Sequence, residues 1–404
     1  MASESRDLES NPYPALAELR RRGAVLPGEL MELLGSGLPM ATGLHALSGP
    51  QFTVLGYHEV RAVLRDEAIS SGAYSATIGQ FLGRTILEMD DPEHALYRHL
   101  VSPMFRPKVL DSWREQVVRP EVTRAVRQLA GRGSADLVTE LTLPLPIRII
   151  TRMLGLPAAD VDSFQRLATT MTALETGDSE AEQAQASAQL DEYFRVGIGA
   201  RRANPDSNDE TVLGVLCASE VDGRTLTDEE IVSFLRLLLP AGAETTFRAG
   251  GSLLFGLLTH PAQLREVRAD RTLARAAIEE TLRWEPPIMS IGRSPTRPVT
   301  IGGVLIPAGS AVHVCLGAAN HDASVWESPD DFDVRRKSGA HLAFAHGPHT
   351  CIGLHLARME MAAMLDAVLD LLPNVRLDEQ ATRPHMTGLA FRSPSALPVR
   401  WDPS

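Results

Sequence analysis

Residues 344–358 read Phe344-Ala345-His346-Gly347-Pro348-His349-Thr350-Cys351-Ile352-Gly353-Leu354-His355-Leu356-Ala357-Arg358: a single cysteine among glycines, with an aromatic residue ahead and a helix-forming run behind. A thiolate that serves as a metal ligand needs neighbouring backbone N–H groups to steady its charge, and a backbone that closely approaches a flat ligand needs glycine. Gly347 and Gly353 supply that freedom on both sides of the sulfur. A free cysteine is ordinarily a small buried hydrophobe, and Cys217 and Cys315, each in an apolar stretch, are read that way. Cys351 is set apart by the spacing around it.

The chain of 404 residues is 44 % hydrophobic and 22 % charged, which suits a globular protein with a substantial core. No linker, charge block or repeat divides it, so residues 1–404 are expected to form one domain. Three widely spaced cysteines exclude a disulfide framework and fit a reducing, cytoplasmic setting. The polar start Met1 to Asp7 lacks the apolar core of a signal peptide, and the most apolar run, Ile231 to Ala243, is interrupted by Arg236 and Pro240. No membrane anchor is expected. A net charge of −12 without a basic stripe argues against nucleic-acid binding.

Helical patterns dominate, at Pro12–Arg22, Tyr57–Arg65, Pro92–Val101, Pro107–Gly131, Pro146–Leu154, Ala158–Glu175 and Ser179–Arg202. Ser70–Met89 reads as a surface loop. Thr227-Asp228-Glu229-Glu230 is a capping box that opens the longest helix, apolar to about Thr259 and therefore expected to run through the core. Within it, Pro240 and Gly242 predict a kink or opening beside Glu244, Thr245 and Thr246. Strands are expected at Gln51–Gly56, Val299–Ile306, Ala311–Gly317, Gly388–Phe391 and Leu397–Trp401. The fold class is mainly α with small β-sheets, without the regular βαβ alternation of a doubly wound fold.

The cysteine loop resembles the proximal loop of the cytochrome P450 family, and the resemblance extends over essentially the whole chain. It implies the triangular P450 fold, a haem b (iron protoporphyrin IX) with Cys351 as its axial ligand, and Phe344 covering the sulfur. Many bacterial members carry a second glycine where Ala345 stands. Alanine is expected to take an ordinary backbone conformation there. Ala241-Gly242-Ala243-Glu244-Thr245 looks like the oxygen-activating groove of the family, with Ala241 and Gly242 against the cofactor, Thr245 holding dioxygen and a water, and Glu244 feeding protons from solvent. Glu280-Thr281-Leu282-Arg283 resembles the E-x-x-R element, bracing Asn320-His321-Asp322 through Asp333-Val334-Arg335. His94 and Arg98, spaced as in the H-x-x-x-R helix, together with Arg293 and His349, would hold the haem propionates, with Gly353 closing the loop.

The resemblance implies a haem-thiolate monooxygenase that uses O2. Its electrons would come from a ferredoxin and an NAD(P)H-dependent ferredoxin reductase, docking where Arg106, Lys108, Arg114 and Arg358 form a local basic patch. The pocket would be lined from Ala73 to Leu87, by Met171 and Leu174, by Leu238 and Ala241, by Ile288, Met289 and Ile291, and by Leu389 and Ala390. These are nearly all apolar, which favours a lipophilic small molecule such as a steroid, terpenoid, fatty acid or polyketide. The competing readings are a peroxygenase or isomerase on the same centre, or a non-catalytic haem sensor or carrier. Glu244 with Thr245 favours oxygen activation, since a carrier has no need of a proton relay. The absence of Cys-x-x-Cys-His excludes c-type haem attachment.

Overall fold

The structure is a computed structural model that describes residues 8–36, 47, 49–76, 79–155, 163–164, 166–167, 180–205, 209–221, 223–337 and 339–402. The expected helix Ala158–Glu175 falls almost wholly outside these residues. Among the rest, six helices organise the molecule: α1 (Tyr13–Arg22), α2 (Glu93–Val101), α3 (Pro144–Leu154), α4 (Asp228–Thr259), α5 (Ala274–Trp284) and α6 (Leu354–Leu371).

The Thr227 side chain accepts the Glu230 N–H while the Glu230 side chain accepts the Thr227 N–H, so the capping box starts α4 as its sequence predicts. At 32 residues α4 is the longest helix among those described, and it packs on α3, α5 and α6. Close approach uses its glycines: a Cβ on Gly250 would come within 2.7 Å of the Met364 methyl, and one on Gly242 within 2.9 Å of Ile150 Cδ1. Helical residues continue on both sides of Pro240. Proline removes only the one N–H that would reach the Arg236 carbonyl, and dense packing on both sides keeps the remaining turns in register.

A five-stranded sheet forms a separate layer from β1 (Val25–Pro27), β2 (Gln51–Val54), β3 (Ile69–Ser70), β4 (Ser290–Pro295) and β5 (Ala311–Cys315), in the order β1-β2-β5-β4-β3. β2 and β5 are parallel; every other pair is antiparallel. The register Val312–Arg293 and Val314–Ile291 fixes which face of β4 each residue shares with β5. Two sequence readings change here. The stretch expected as one strand, Val299–Ile306, is a hairpin, because Gly302 (φ 55°) and Gly303 (φ 79°) take the left-handed conformations a two-residue turn requires. Gly388–Phe391 is the turn, not the strand, of the hairpin between β6 (Met386–Thr387) and β7 (Ser393–Pro394). Gly388 is at φ 87°, and a Cβ there would lie 2.0 Å from the Phe391 carbonyl oxygen.

That turn is anchored by charge. Arg392, fully buried, donates to both oxygens of Glu285 at 2.7 and 3.2 Å, and to the carbonyls of Gly388, Glu9 and Ser10. The Tyr13 hydroxyl donates to the same Glu285 at 2.8 Å, while its ring stacks on His321 at 3.6 Å. The start of the chain, the end of α5 and the terminal hairpin are thus held at one point. Among the described residues no helix is long and apolar enough to cross a membrane.

His313, at the centre of β5 and fully buried, shares a hydrogen bond with Gln51 at 2.9 Å, and burial lowers its pKa from 6.5 to about 4. Between these values the unfolded chain binds a proton that the folded chain refuses, so this contribution to stability is complete above pH 6.5 and declines as the pH falls towards 4. Denaturant unfolding should therefore show the wild type losing stability between about pH 7 and about pH 5 more steeply than His313→Gln. Equal slopes would assign the buried histidine no linkage.

Candidate active site

The brace of the site is built from α5. Arg283 and Glu280 are both buried and paired at 2.8 Å through two parallel bonds. The other Arg283 donors take the carbonyls of Asn320, Pro329 and Asp331. Glu280 accepts the Asp333 N–H at 3.0 Å and, from a residue the sequence reading passed over, the guanidinium of Arg336 at 3.0 Å. Arg335, named in that reading, instead pairs with Glu266. The residue after the expected one turns inward, a detail of meander geometry that no local pattern reveals.

Asn320 carries the brace onward: its side-chain oxygen accepts the Leu342 N–H at 2.7 Å, at the entry to the cysteine loop. Within the loop Ala345 N–H donates to Leu342 O at 2.9 Å and Cys351 N–H to Phe344 O at 2.9 Å, closing the turn on which the sulfur sits. Gly347, at φ 78°, lies so near the Leu64 carbonyl that a Cβ would fall 2.2 Å from its oxygen. Ala345 corrects the sequence reading: it is at φ 57°, the left-handed region, and not in an ordinary conformation. The side chain remains tolerated because Ala345 packs at the edge of the apolar cluster beneath the sheet, but the backbone carries the strain that glycine would avoid.

Cys351 lies at the bottom of a recess, open in front and surrounded by protein. Burial raises its thiol pKa, while the Gly353 N–H and the charges of Arg98 and Arg358 favour the thiolate. Arg358 is more committed than a docking cation. It donates to Glu279 at 2.5 and 2.7 Å and lies over the Phe344 ring at 4.6 Å, with His341 on the same carboxylate. Burial would raise the Glu279 pKa, but the bonds from Arg358 and His341 prevail and hold it at about 2. Arg106 and Lys108 are exposed, and Arg114 pairs with Asp111 at 2.8 Å.

The expected propionate anchors converge. His94, on α2, stacks on His349 with ring centroids 4.0 Å apart, and the Arg98 guanidinium reaches the Thr350 carbonyl beside Cys351. Arg293, on β4, is buried and donates to the Gly292 carbonyl at 2.7 Å. His349 is driven to about 3 by burial first and then by the charges of His94, Arg293 and Arg98, so it stays neutral at ordinary pH. Among the described residues neither Arg98 nor Arg293 has a carboxylate at ion-pair distance, and the buried His94 Nε2 has no hydrogen-bond partner. Two half-buried or buried guanidiniums and an orphaned imidazole nitrogen beside a recessed thiol form the donor set for a flat, dianionic, iron-bearing ligand.

On α4, Ala241 is exposed between the buried Leu239 and Ala243. The Thr245 hydroxyl donates to the Ala241 carbonyl at 2.8 Å, and Glu244 is paired with Arg248 at 2.6 Å. Of the expected pocket lining, Leu87, Leu238, Ile288, Ile291 and Ala390 are half-buried, and Ile288 bridges to Phe391. Met289 and Leu389 lie in the apolar cluster around Tyr13 and Leu16, with the Met289 sulfur against Gly317, so the structure gives them core positions. Met171 and Leu174 lie outside the described residues.

A family model described as cytochrome P450 matches residues 161–387. The chain belongs to the cytochrome P450 family. It is 33 % identical over 417 residues to the cytochrome P450 monooxygenase PikC of Streptomyces venezuelae, covering 98 % of this chain and 92 % of that protein. It is 37 % identical over 314 residues to the cyclomarin C epoxidase CymV of Salinispora arenicola, covering 76 % and 74 %. The structure superposes on cytochrome P450 CYP109Q5 from Chondromyces apiculatus with a TM-score of 0.85 at 32 % identity, covering 98 % of this chain and 97 % of that one. This P450 is a haem-dependent monooxygenase with the mainly helical fold of the family.

Left-handed alanine costs about 1–2 kcal/mol relative to glycine, offset by the about 0.4–1 kcal/mol that glycine adds to unfolded-chain entropy. Ala345→Gly should therefore raise unfolding stability by up to about 1 kcal/mol, read from the denaturant midpoint. A loss of stability would mean that the alanine methyl packing outweighs the backbone strain.

Proposed function

We propose that this P450 inserts one atom of O2 into a lipophilic small molecule, of steroid, terpenoid, fatty-acid or polyketide-like character. In this reading Cys351 is the iron ligand, Glu244 and Thr245 carry protons, and His94, Arg98, Arg293 and His349 hold the propionates. The observation that carries it is the pairing of a recessed, cation-flanked thiol in one loop with an acid and a hydroxyl on the helix that crosses the core.

Bound through Cys351, the haem supplies activation of O2 and transfer of an oxygen atom to substrate. The protein's own residues do the rest. Arg98 and Arg358 favour the thiolate over the thiol against the cost of burial. Thr245, whose proton is engaged by the Ala241 carbonyl, offers its lone pairs to an incoming donor. A proton reaching Glu244 from solvent would pass to the Thr245 oxygen as the hydroxyl turns from the Ala241 carbonyl and gives its own proton to the reacting oxygen. The half-buried apolar groups Leu238, Ile288, Ile291 and Ala390 exclude water and hold substrate by burial. A relative named as an epoxidase supports oxygen-atom transfer as the reaction class. Electrons are supplied by a ferredoxin and its NAD(P)H-dependent reductase, docking on the face that carries the exposed Arg106 and Lys108.

Reduced protein under carbon monoxide should give the absorption band for which the family is named, and Cys351→Ser should lose it. A spectrum typical of histidine-ligated haem would overturn the ligand assignment. Thr245→Ala should keep that band and the spectral response to a steroid or fatty-acid panel, yet lower oxygen insertion by about 10²-fold and release peroxide in its place. Undiminished insertion would remove Thr245 from proton delivery.

A further inference from the structure

We propose that Glu279 is a positioning residue for the iron–thiolate centre: it seats the Arg358 guanidinium on the Phe344 ring beside the cysteine loop, and so fixes how strongly that cation draws on the Cys351 sulfur and where the haem reduction potential lies. The proposal rests on the reading of Cys351 as the iron ligand.

Glu279 and Glu280 are neighbours on α5, about 100° apart around the helix, so they serve different partners. Glu280 takes Arg283 and the meander. Glu279 takes α6 and the entry to the cysteine loop. Its two oxygens accept Arg358 in parallel, Nε at 2.5 Å and Nη2 at 2.7 Å, the fork geometry that fixes a guanidinium in direction as well as distance. The His341 Nδ1 accepts the Ala343 N–H at 3.3 Å, which leaves Nε2 to donate to Glu279 Oε2 at 3.1 Å. Both partners then meet one ring: the Arg358 guanidinium lies 4.6 Å from the Phe344 centroid, and the His341 ring 5.8 Å from it. The Phe344 carbonyl in turn accepts the Cys351 N–H at 2.9 Å. One carboxylate therefore holds two side chains against the residue whose main chain closes on the cysteine.

The charges acting on the sulfur include those of Arg98 and Arg358. Arg98 is directed by the Thr350 carbonyl, whereas Arg358 is tied to an acid. An arginine side chain without an anchor samples many rotamers and reaches for solvent. Glu279 removes that freedom, and it stays ionised at neutral pH because its pKa is held at about 2. The two side chains are 25 % and 29 % exposed, so water screens the pair only in part. When ferric haem takes one electron from the ferredoxin it becomes ferrous, no bond is made or broken at the sulfur, and the centre gains one negative charge. A cation held nearby favours that form and raises the potential, and a cation that retreats lets it fall. The sulfur then gives more of its density to the iron.

The test uses the full-length haem-loaded protein with Glu279→Asp, Arg358→Gln and the double variant, and reads the ferric–ferrous potential by redox titration and the iron–sulfur stretch by resonance Raman. Aspartate keeps the charge but shortens the reach by one methylene, which draws Arg358 off the ring. Glu279→Asp should therefore lower the potential and raise the iron–sulfur frequency, in the same direction as Arg358→Gln and by a smaller amount. In the Arg358→Gln background it should add no further shift. An unchanged potential in Glu279→Asp, or the same shift with and without Arg358, overturns the proposal. Should Arg358→Gln not retain haem, Arg358→Lys takes its place, since lysine keeps the charge without the two parallel bonds. Glu279→Asp must then shift the potential less in that background than in the wild type, and equal shifts overturn the proposal. The carbon monoxide band of the wild type decides the underlying reading separately: its absence removes Cys351 as ligand and the proposal with it. Its presence with an unmoved potential in Glu279→Asp strikes out the positioning role and leaves the ligand in place.

Discussion

The buried pair of Glu280 and Arg283 is the constraint on which the site depends. Two charges removed from water are tolerable only when every donor and lone pair is met, and here the guanidinium holds one carboxylate and three backbone carbonyls. Those carbonyls belong to the meander between residues 320 and 331, which has little regular structure to fix it. The ion pair substitutes for a sheet or helix, and Asn320 hands its position to the cysteine loop through the Leu342 N–H. Hydrogen bonds that begin on α5 thus act beside the packing of Phe344, Ala345 and Ile352 in placing the sulfur. Truncating Arg283 would leave the buried Glu280 carboxylate with only Arg336 and the Asp333 N–H, and three carbonyls without their donor, a loss of about 3–5 kcal/mol by comparison with other broken buried pairs.

Charge is divided between the two faces of the site. Around the thiol the cations are spoken for: Arg358 by Glu279, and Arg98 by the Thr350 carbonyl. At the anchor site Arg98 and Arg293 stand without carboxylate partners among the described residues, His94 shares a bond with Asp91 at 3.2 Å, and burial first, then the neighbouring charges, keeps His349 neutral. On α4 the acid is paired within its own helix. Glu279, held at about 2, and His349, held at about 3, are each kept in one state at neutral pH, which lowers the reorganisation required when a ligand arrives.

The helical class, the capping box of α4, the E-x-x-R pair and the cysteine loop were legible in the sequence because each is a local pattern whose residues lie within a few positions of one another. What was not legible depends on distant partners. Arg336 turns in to Glu280 and Arg335 does not; Arg358 closes on Glu279 and is not left as a free surface cation; Arg248 reaches Ser393, 145 positions away. Met289 and Leu389 share the apolar character of pocket residues, and hydrophobicity alone cannot say on which side of a segment a side chain lies. Ala345 was misread for a different reason: its left-handed φ follows from the closure of the loop, and residue identity argued against it. Gly302-Gly303, in contrast, carried a turn signal in plain view within a run of β-branched residues.

The junction of Tyr13, Glu285 and Arg392 has a practical bearing on how the protein can be handled. Arg392 draws two of its acceptors from the backbone of Glu9 and Ser10. Trimming the amino terminus through Ser10 would leave a fully buried guanidinium short of partners at the base of the hairpin whose turn bears Ala390 and Phe391. A protease nick or a shortened amino end, remote in sequence from the thiol, would thus be felt at the terminal hairpin. Added sequence ahead of Glu9 would leave both carbonyls in place.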